Sequence, residues 1–403
     1  MNKRVVITGL GVISSIGIGW KEFWGSLIEG RSGISPIESF DASGQFTRNG
    51  GEVKNFRPEQ FIRTDQLSFS RSSMLGLAAA RLAADDAGIT AEMMGEVRGG
   101  VCIGTTLGSV QTVEIIDELL LQGRKEECGA ELLSQVPTHS TPAAVARALR
   151  LGGPNMMFST ACAAGNYAIG YGFDLIMCGR ADMIIAGGAD PLSRVAFTGF
   201  NQFSAVAPER CQPFDKNRRG MIPAEGAGLL VLESRESAVR RGAMIYAEVL
   251  GYGLSCDAFH MTTASVEGLA ACMRKALRDA DISCEEVDYI SAHGTGTVAN
   301  DRNECAAIRE VFGAQYRNVP VSSIKSMLGH TMGAASALEA IACALAVKDD
   351  VMPPTINFET PDPECDVDCV PNHARKRAVH IALNNSYAFG GNNASIVLKK
   401  YRE

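Results

Sequence analysis

Met156-Met157-Phe158-Ser159-Thr160-Ala161-Cys162-Ala163-Ala164-Gly165-Asn166 is the stretch on which the reading of this chain turns. An apolar run of strand character stops at a cysteine set among alanines and a glycine, and Tyr167 to Cys178 continues as a helix. A strand–cysteine–helix turn holds the thiol at a helix N-terminus, where unpaired N–H groups and the helix dipole favour a thiolate. The thiolate is the nucleophilic form, and the small neighbours leave room for a substrate. One of twelve cysteines is more often a small buried apolar residue, so other residues must carry the argument further.

Two histidine segments do so. Ser291-Ala292-His293-Gly294-Thr295-Gly296-Thr297 follows the strand pattern Val287-Asp288-Tyr289-Ile290. Val321-Ser322-Ser323-Ile324-Lys325-Ser326-Met327-Leu328-Gly329-His330 leaves a β-like run, Val319 to Ile324, and enters an alanine-rich helix, Met332 to Val347. Cys162, His293 and His330 thus stand at the C-terminal ends of three expected strands, where sites assemble in α/β sheets.

In that order, Thr160 to Gly165, His293-Gly294-Thr295-Gly296-Thr297 and Lys325 to His330 resemble the three signatures of the β-ketoacyl-[acyl carrier protein] synthases. Asn385-Ser386-Tyr387-Ala388-Phe389-Gly390-Gly391-Asn392-Asn393 resembles the family's glycine-rich C-terminal loop. The resemblance runs from Arg4-Val5-Val6-Ile7-Thr8-Gly9 to the last expected strand and is closest to the synthase II branch. The stretch after His293 is similar to the nodulation-type synthases, and the chain as a whole to the type II polyketide ketosynthases.

The resemblance implies a thiolase-type α/β fold, two similar halves stacked as a five-layer sandwich. It also implies a decarboxylative Claisen condensation of an acyl thioester held on Cys162 with malonyl-carrier protein. Backbone N–H groups of Cys162 and Phe389 would form the oxyanion hole, and Phe389 would gate the site. His293 and His330 would stabilise the enolate through Nε2–H donors, with Lys325 supporting them through Glu304. Asp301 and Glu304 would brace the loops, and Thr295 and Thr297 would meet the pantetheine amides. Leu107 and Phe200 would border the acyl pocket, while Arg63, Arg124 and Lys125 would meet an acidic carrier protein. No cofactor and no metal are needed for this chemistry. The expected partners are a phosphopantetheine-bearing acyl carrier protein and a second subunit, giving a homodimer or a heterodimer with a chain-length partner.

Some positions depart from the pattern. Ala388 stands where glycine is usual and Asn392 where threonine is usual, and Leu67-Ser68-Phe69-Ser70 lacks the basic residues of the synthase II branch. A non-catalytic chain-length partner would lack the cysteine that this chain keeps. A thiolase acting on coenzyme A esters would carry a second cysteine near Asn385–Asn393, and none is there.

Composition narrows the classes further. The 403 residues are 46% hydrophobic and 21% charged, as in ordinary globular proteins. A net charge of −7 argues against general nucleic-acid binding. No apolar run reaches membrane-spanning length, and Met1-Asn2-Lys3-Arg4 leads straight into a strand, so a cytoplasmic location with reduced thiols is expected. Cys365 and Cys369 are isolated beside acids and prolines, which is poor zinc spacing. Val5 to Ser14 contains Gly9-Leu10-Gly11 but has Ser14 where a dinucleotide fingerprint needs glycine.

Strand-like runs are expected at Val5–Thr8, Gly100–Ile103, Met183–Ala186, Gly228–Leu232, Tyr246–Tyr252, Val287–Ser291, Val319–Ser322, His380–Asn384 and Ser395–Leu398. Helical patterns lie between them at Arg71–Ala87, Thr141–Leu149, Asn166–Cys178 and Gly268–Ala280, which gives the α/β class. No strong internal sequence repeat is visible. The boundary between halves is placed at Tyr246, giving 1–245 with the cysteine and 246–403 with the two histidine loops. Insertions before residue 150 and around 195–225 are expected to cap the site.

Overall fold

The computed structural model describes residues 3–62 and 69–402. Arg63, Leu67 and Ser68 lie outside the described residues. Among those residues ten strands build the main sheet: β1 Val5–Ser14, β2 Gly99–Gly104, β3 Asn155–Phe158, β4 Met183–Asp190, β5 Gly226–Ser234, β6 Ala247–Cys256, β7 Tyr289–Ser291, β8 Val321–Ser322, β9 Ile381–Tyr387 and β10 Asn392–Lys399. A two-residue strand, Gly17–Ile18, folds back onto β1.

The sheet order is β8-β7-β9-β10-β6-β1-β5-β4-β2-β3. Split between β6 and β1, it becomes the same pattern twice. In each half the first strand lies innermost, followed outward by the fifth, fourth, second and third. In each half the second strand pairs in parallel with the third and fourth, and the remaining pairs are antiparallel. Val5, Val6 and Ile7 pair antiparallel with Val249, Glu248 and Ala247 and join the halves.

Helices Arg71–Asp86 and Ser140–Leu149 cover the outer face of the first half, and Val266–Asp279 and Val298–Phe312 cover the outer face of the second. Ala164–Met177 and Ala335–Asp349 pack on each other and against strands of both halves, forming the middle of five layers. Every residue from Ala335 to Val347 is buried, as expected of a helix apolar on almost every side, with Ser336 and Glu339 the polar exceptions.

Strand β1 runs six residues past its expected end. Gly9 and Gly11 look like turn signals in sequence, yet both are strand residues. A Cβ at Gly9 would lie 2.2 Å from the Ala83 carbonyl oxygen, and one at Gly11 would lie 1.8 Å from that of Ala79. These glycines let helix Arg71–Asp86 approach the strand, a recognised use of strand glycine. At the other end of the sheet β3 is an edge strand, with Asn155 and Met156 exposed.

One tight turn precedes the middle helix in each half, directly after the third strand in the first half and after the short helix Lys325–Leu328 in the second. Ala161–Ala163 precedes Ala164–Met177, and Met332–Ala334 precedes Ala335–Asp349. Each turn opens on a non-glycine residue in the left-handed region, Ala161 at φ 49° and Met332 at φ 52°. Such backbone costs on the order of 1 kcal/mol or more and needs support.

Asp190, at the C-terminal end of β4, supplies part of it. Its buried carboxylate accepts from the Thr105 hydroxyl and from N–H groups of Thr106 at 2.6 Å, Leu107 at 3.1 Å and Gly333 at 2.6 Å. One side chain thereby fastens the turn after β2 to the turn that follows His330. Burial pushes its pKa up to about 6, against the four donors that lower it. At pH 8, where the carboxylate is ionised, Asp190→Asn would turn an amide donor toward these N–H groups. The expected loss is about 2 kcal/mol, from stranded buried donors, read as a lower urea midpoint at unchanged m-value.

Candidate active site

Cys162 follows β3 by four residues and sits in the turn at the start of helix Ala164–Met177, as its sequence implies. Its carbonyl accepts from Ser386 Oγ at 3.0 Å, which ties the turn to β9. The side chain is only 8% exposed. The Cys162 sulfur and one nitrogen each of His293 and His330 lie within 4.8 Å of one another. The two imidazole rings meet edge to face, 5.5 Å between centroids at 83°.

Their outer nitrogens fix their tautomers. His330 Nδ1 accepts the Met332 N–H at 3.1 Å, so its proton is on Nε2. His293 Nδ1 lies 3.4 Å from Lys325 Nζ, and an ammonium only donates, so this ring also carries its proton on Nε2. Burial, with Lys325 nearby, holds both histidines well below their ordinary pKa and therefore neutral. Three such ligand types invite a metal ion. The hydrogen bonds instead leave two Nε2–H donors, the arrangement suited to a developing oxyanion.

Lys325 is buried and its ion-pair partner is Glu339, from the middle helix. The expected route through Glu304 is corrected here. Glu304 is occupied by the backbone N–H groups of His293 and Gly294, both at 2.8 Å, and so braces the histidine loop directly. Burial raises the carboxyl groups of Glu304 and Glu339 to about 7; the N–H donors oppose this at Glu304 and Lys325 opposes it at Glu339. Asp301 accepts from the N–H groups of Phe214 at 2.9 Å and Gly296 at 3.2 Å, fixing the same loop from its far side.

A cavity of about 380 Å³ opens above the cluster, lined among others by Phe200, Phe203, Arg219, Thr295, Thr297, Tyr387, Ala388 and Phe389. Phe200 and residues 203–205 and 219–221 border the site, as the expected insertion around 195–225 would, whereas among the described residues none before 150 lines the cavity. Thr295 and Thr297 hydroxyls are 2.9 Å apart, and Phe200 meets Phe389 at 6.2 Å between centroids. Phe389 is 38% exposed at the opening. The loop's left-handed residues are Gly390 and Gly391, not Ala388, so the Cβ at 388 sits on backbone open to any residue.

Other expected residues are not brought here. Leu107 is half-buried on the Asp190-held turn and does not line the cavity. Arg124 pairs with Glu127 at 2.6 Å, and Lys125 lies in the adjoining exposed turn; neither lines the cavity. Sequence reasoning missed Glu339, Asp190, Tyr387 and Arg219. Glu339 had a signal, a carboxylate inside an otherwise apolar alanine-rich helix, and Asp190 had another, an acid ending an apolar strand.

Known proteins share this arrangement. Residues 2–238 match the N-terminal domain of the β-ketoacyl synthases and residues 246–359 the C-terminal domain. Nodulation protein E of Rhizobium sp. strain N33 is 40% identical over 401 residues, 99% of this chain and all of that protein. The 3-oxoacyl-[acyl-carrier-protein] synthase 2 of Synechocystis sp. strain PCC 6803 is 40% identical over 410 residues, 99% of each chain. The solved ishigamide ketosynthase/chain length factor superposes with a TM-score of 0.96 at 46% identity, covering 100% of both chains. A buried cysteine turn, two neutral imidazoles beside it and full-length similarity converge: the chain belongs to the β-ketoacyl synthase family and is a carbon–carbon bond-forming acyltransferase.

Proposed function

We propose that this protein elongates acyl chains borne by an acyl carrier protein, in a specialised-lipid or polyketide route and not in housekeeping fatty-acid synthesis. The observation that carries the chemistry is the pair of neutral imidazoles, both presenting Nε2–H at the Cys162 sulfur on the floor of one cavity. The similarity to a nodulation protein and to a ketosynthase/chain length factor favours the specialised route.

The reaction balances in two steps. The Cys162 thiol takes the acyl group and its proton leaves on the carrier thiol. Malonyl thioester then loses carbon dioxide, its enolate attacks the acyl group, and Cys162 is released as a thiol after taking up one proton. The N–H groups of Cys162 and Phe389 receive the thioester oxygen in the first step, and His293 and His330 receive the enolate oxygen in the second. Phe389 gates the cavity and Phe200 borders the acyl chain. Arg63, Arg124 and Lys125 meet the carrier.

The partner subunit, a second copy or a chain-length partner, covers the face around β3. Met156 there and Ile115, Leu120 and Leu121 on helix Val110–Leu121 are exposed apolar side chains, which favour a covered surface. The two halves meet at Tyr246. Among the described residues no helix is long and apolar enough to cross a membrane. All twelve cysteines are free thiols, which fits a cytoplasmic location.

Incubation with an acyl primer and malonyl-carrier protein, followed by product mass spectrometry, tests the reading. His293→Ala and His330→Ala are each expected to cut carbon dioxide release about 10²–10³-fold while intact-mass analysis still finds acylated Cys162. Wild-type release in either variant would remove the histidines from this step. Cys162→Ala is expected to show no acyl-enzyme at all.

Burial pushes the Cys162 thiol up to about 12, with Asp190 and Glu339 adding to the rise and Lys325 opposing it. The dipole expected to favour a thiolate is therefore outweighed, and the free enzyme holds a neutral thiol at pH 7. Alkylation of Cys162 by iodoacetamide is expected to rise about tenfold per pH unit between pH 7 and 9. A plateau below pH 8 would contradict this.

Lys325→Met leaves a buried carboxylate alone and is expected to cost about 3–5 kcal/mol of stability. Adding Glu339→Leu should recover most of that loss. Decarboxylation should stay low in the double variant, because His293 Nδ1 still lacks its donor. Recovered decarboxylation would reduce Lys325 to a structural role.

A further inference from the structure

Among the residues lining the cavity, Arg219 is the one side chain with a full charge. Its neighbour Arg218 turns inward, where it is buried against Asp362 and Asp301. Arg219 turns outward and is exposed at the cavity mouth. Its guanidinium lies over the Phe46 ring, 5.8 Å from the centroid, and among the described residues no carboxylate pairs with it. Stacking of this kind holds the plane of a guanidinium and leaves its N–H edge for a ligand. The adjoining Gly220 N–H bonds to the Gly296 carbonyl at 2.9 Å, so Arg219 is anchored beside the Thr295–Thr297 loop.

Exposure rises along the cavity. Cys162, His293 and His330 are buried at the floor, Thr295 is buried, Thr297 is half-buried, and Arg219 is exposed. The donors therefore run from oxyanion-type N–H groups, through hydroxyls, to a guanidinium. An acyl-pantetheine arm carries its groups in the same sequence: thioester, amides, then phosphate. A guanidinium forks onto two phosphate oxygens, and such charge-assisted pairs are among the stronger hydrogen bonds.

We propose that Arg219 recognises the phosphate of the phosphopantetheine arm and sets how deeply the thioester reaches toward Cys162. This rests on the condensing-enzyme reading and adds a specificity residue to it. The phosphate belongs to the carrier-borne arm or to a free pantetheine ester such as a coenzyme A thioester, and the two are separated below.

The test uses protection of Cys162 from iodoacetamide by two probes, pantetheine and 4′-phosphopantetheine, each with its thiol capped as the methyl thioether so that neither consumes the reagent. Wild type is expected to be half-protected at about tenfold lower 4′-phosphopantetheine than pantetheine. Arg219→Ala should erase that preference and leave protection by pantetheine unchanged. Arg219→Lys should keep part of it, since a point charge attracts phosphate without the fork. Equal weakening toward both probes would make Arg219 a shaper of the mouth and overturn the proposal, as would an unchanged preference. Steady-state kinetics then assign the source. A rise in KM for malonyl-carrier protein at constant kcat places the phosphate on the carrier arm, and a rise confined to malonyl-coenzyme A places it on the free ester. A wild type that shows the preference yet condenses nothing would overturn the condensing reading and leave the phosphate anchor standing.

Discussion

An ammonium group in a dry interior needs a carboxylate, and the whole site is arranged around that requirement. Lys325 finds Glu339 in the middle helix, at a position otherwise filled by small apolar residues. Removing either partner would strand a charge, so the pair locks the turn carrying His330 to the central layer. The same ammonium faces His293 Nδ1 and, by donating to it, decides which nitrogen of that ring keeps the proton. Burial holds both imidazoles neutral and the ammonium adds to that, while it opposes the burial that keeps the Cys162 thiol protonated. One buried ion pair thus bears on the protonation of three groups, adding to burial at the two imidazoles and opposing it at the thiol.

The fold was largely legible because most of its strands are buried apolar runs that end abruptly at polar or chemistry-bearing residues. All the expected runs became strands; Cys162 and His293 follow their strands closely, whereas His330 comes eight residues after Ser322, past the short helix Lys325–Leu328, and still meets them. The length of β1 was not legible, because Gly9 and Gly11 signal close helix packing and turns with the same letter. Nor was Glu339 as the partner of Lys325: the pairing spans two helices, and Glu304 lies nearer His293 in sequence. Leu107 was expected beside the cavity, but its backbone N–H is held by Asp190 and it stays outside the lining, a long-range contact that local pattern does not encode.

The duplicated topology left little trace in sequence. Hydrophobic burial constrains which positions are apolar, not which apolar residue fills them, so two halves can share strand order without sharing identities. The turns retain the relation more clearly. Ala161 and Met332 open equivalent turns with equivalent strain, which places Cys162 and Gly333 in matching positions. One half supplies a thiol there. The other supplies a bare N–H, which Asp190 of the first half takes up.

Strand β3 ends the sheet with its outer backbone groups unpaired, and Cys162 follows it by four residues. A neighbouring chain laid along that edge would stiffen the very segment that delivers the nucleophile. A subunit seated there would act on the turn that holds Cys162 through four residues of backbone, without touching the cavity.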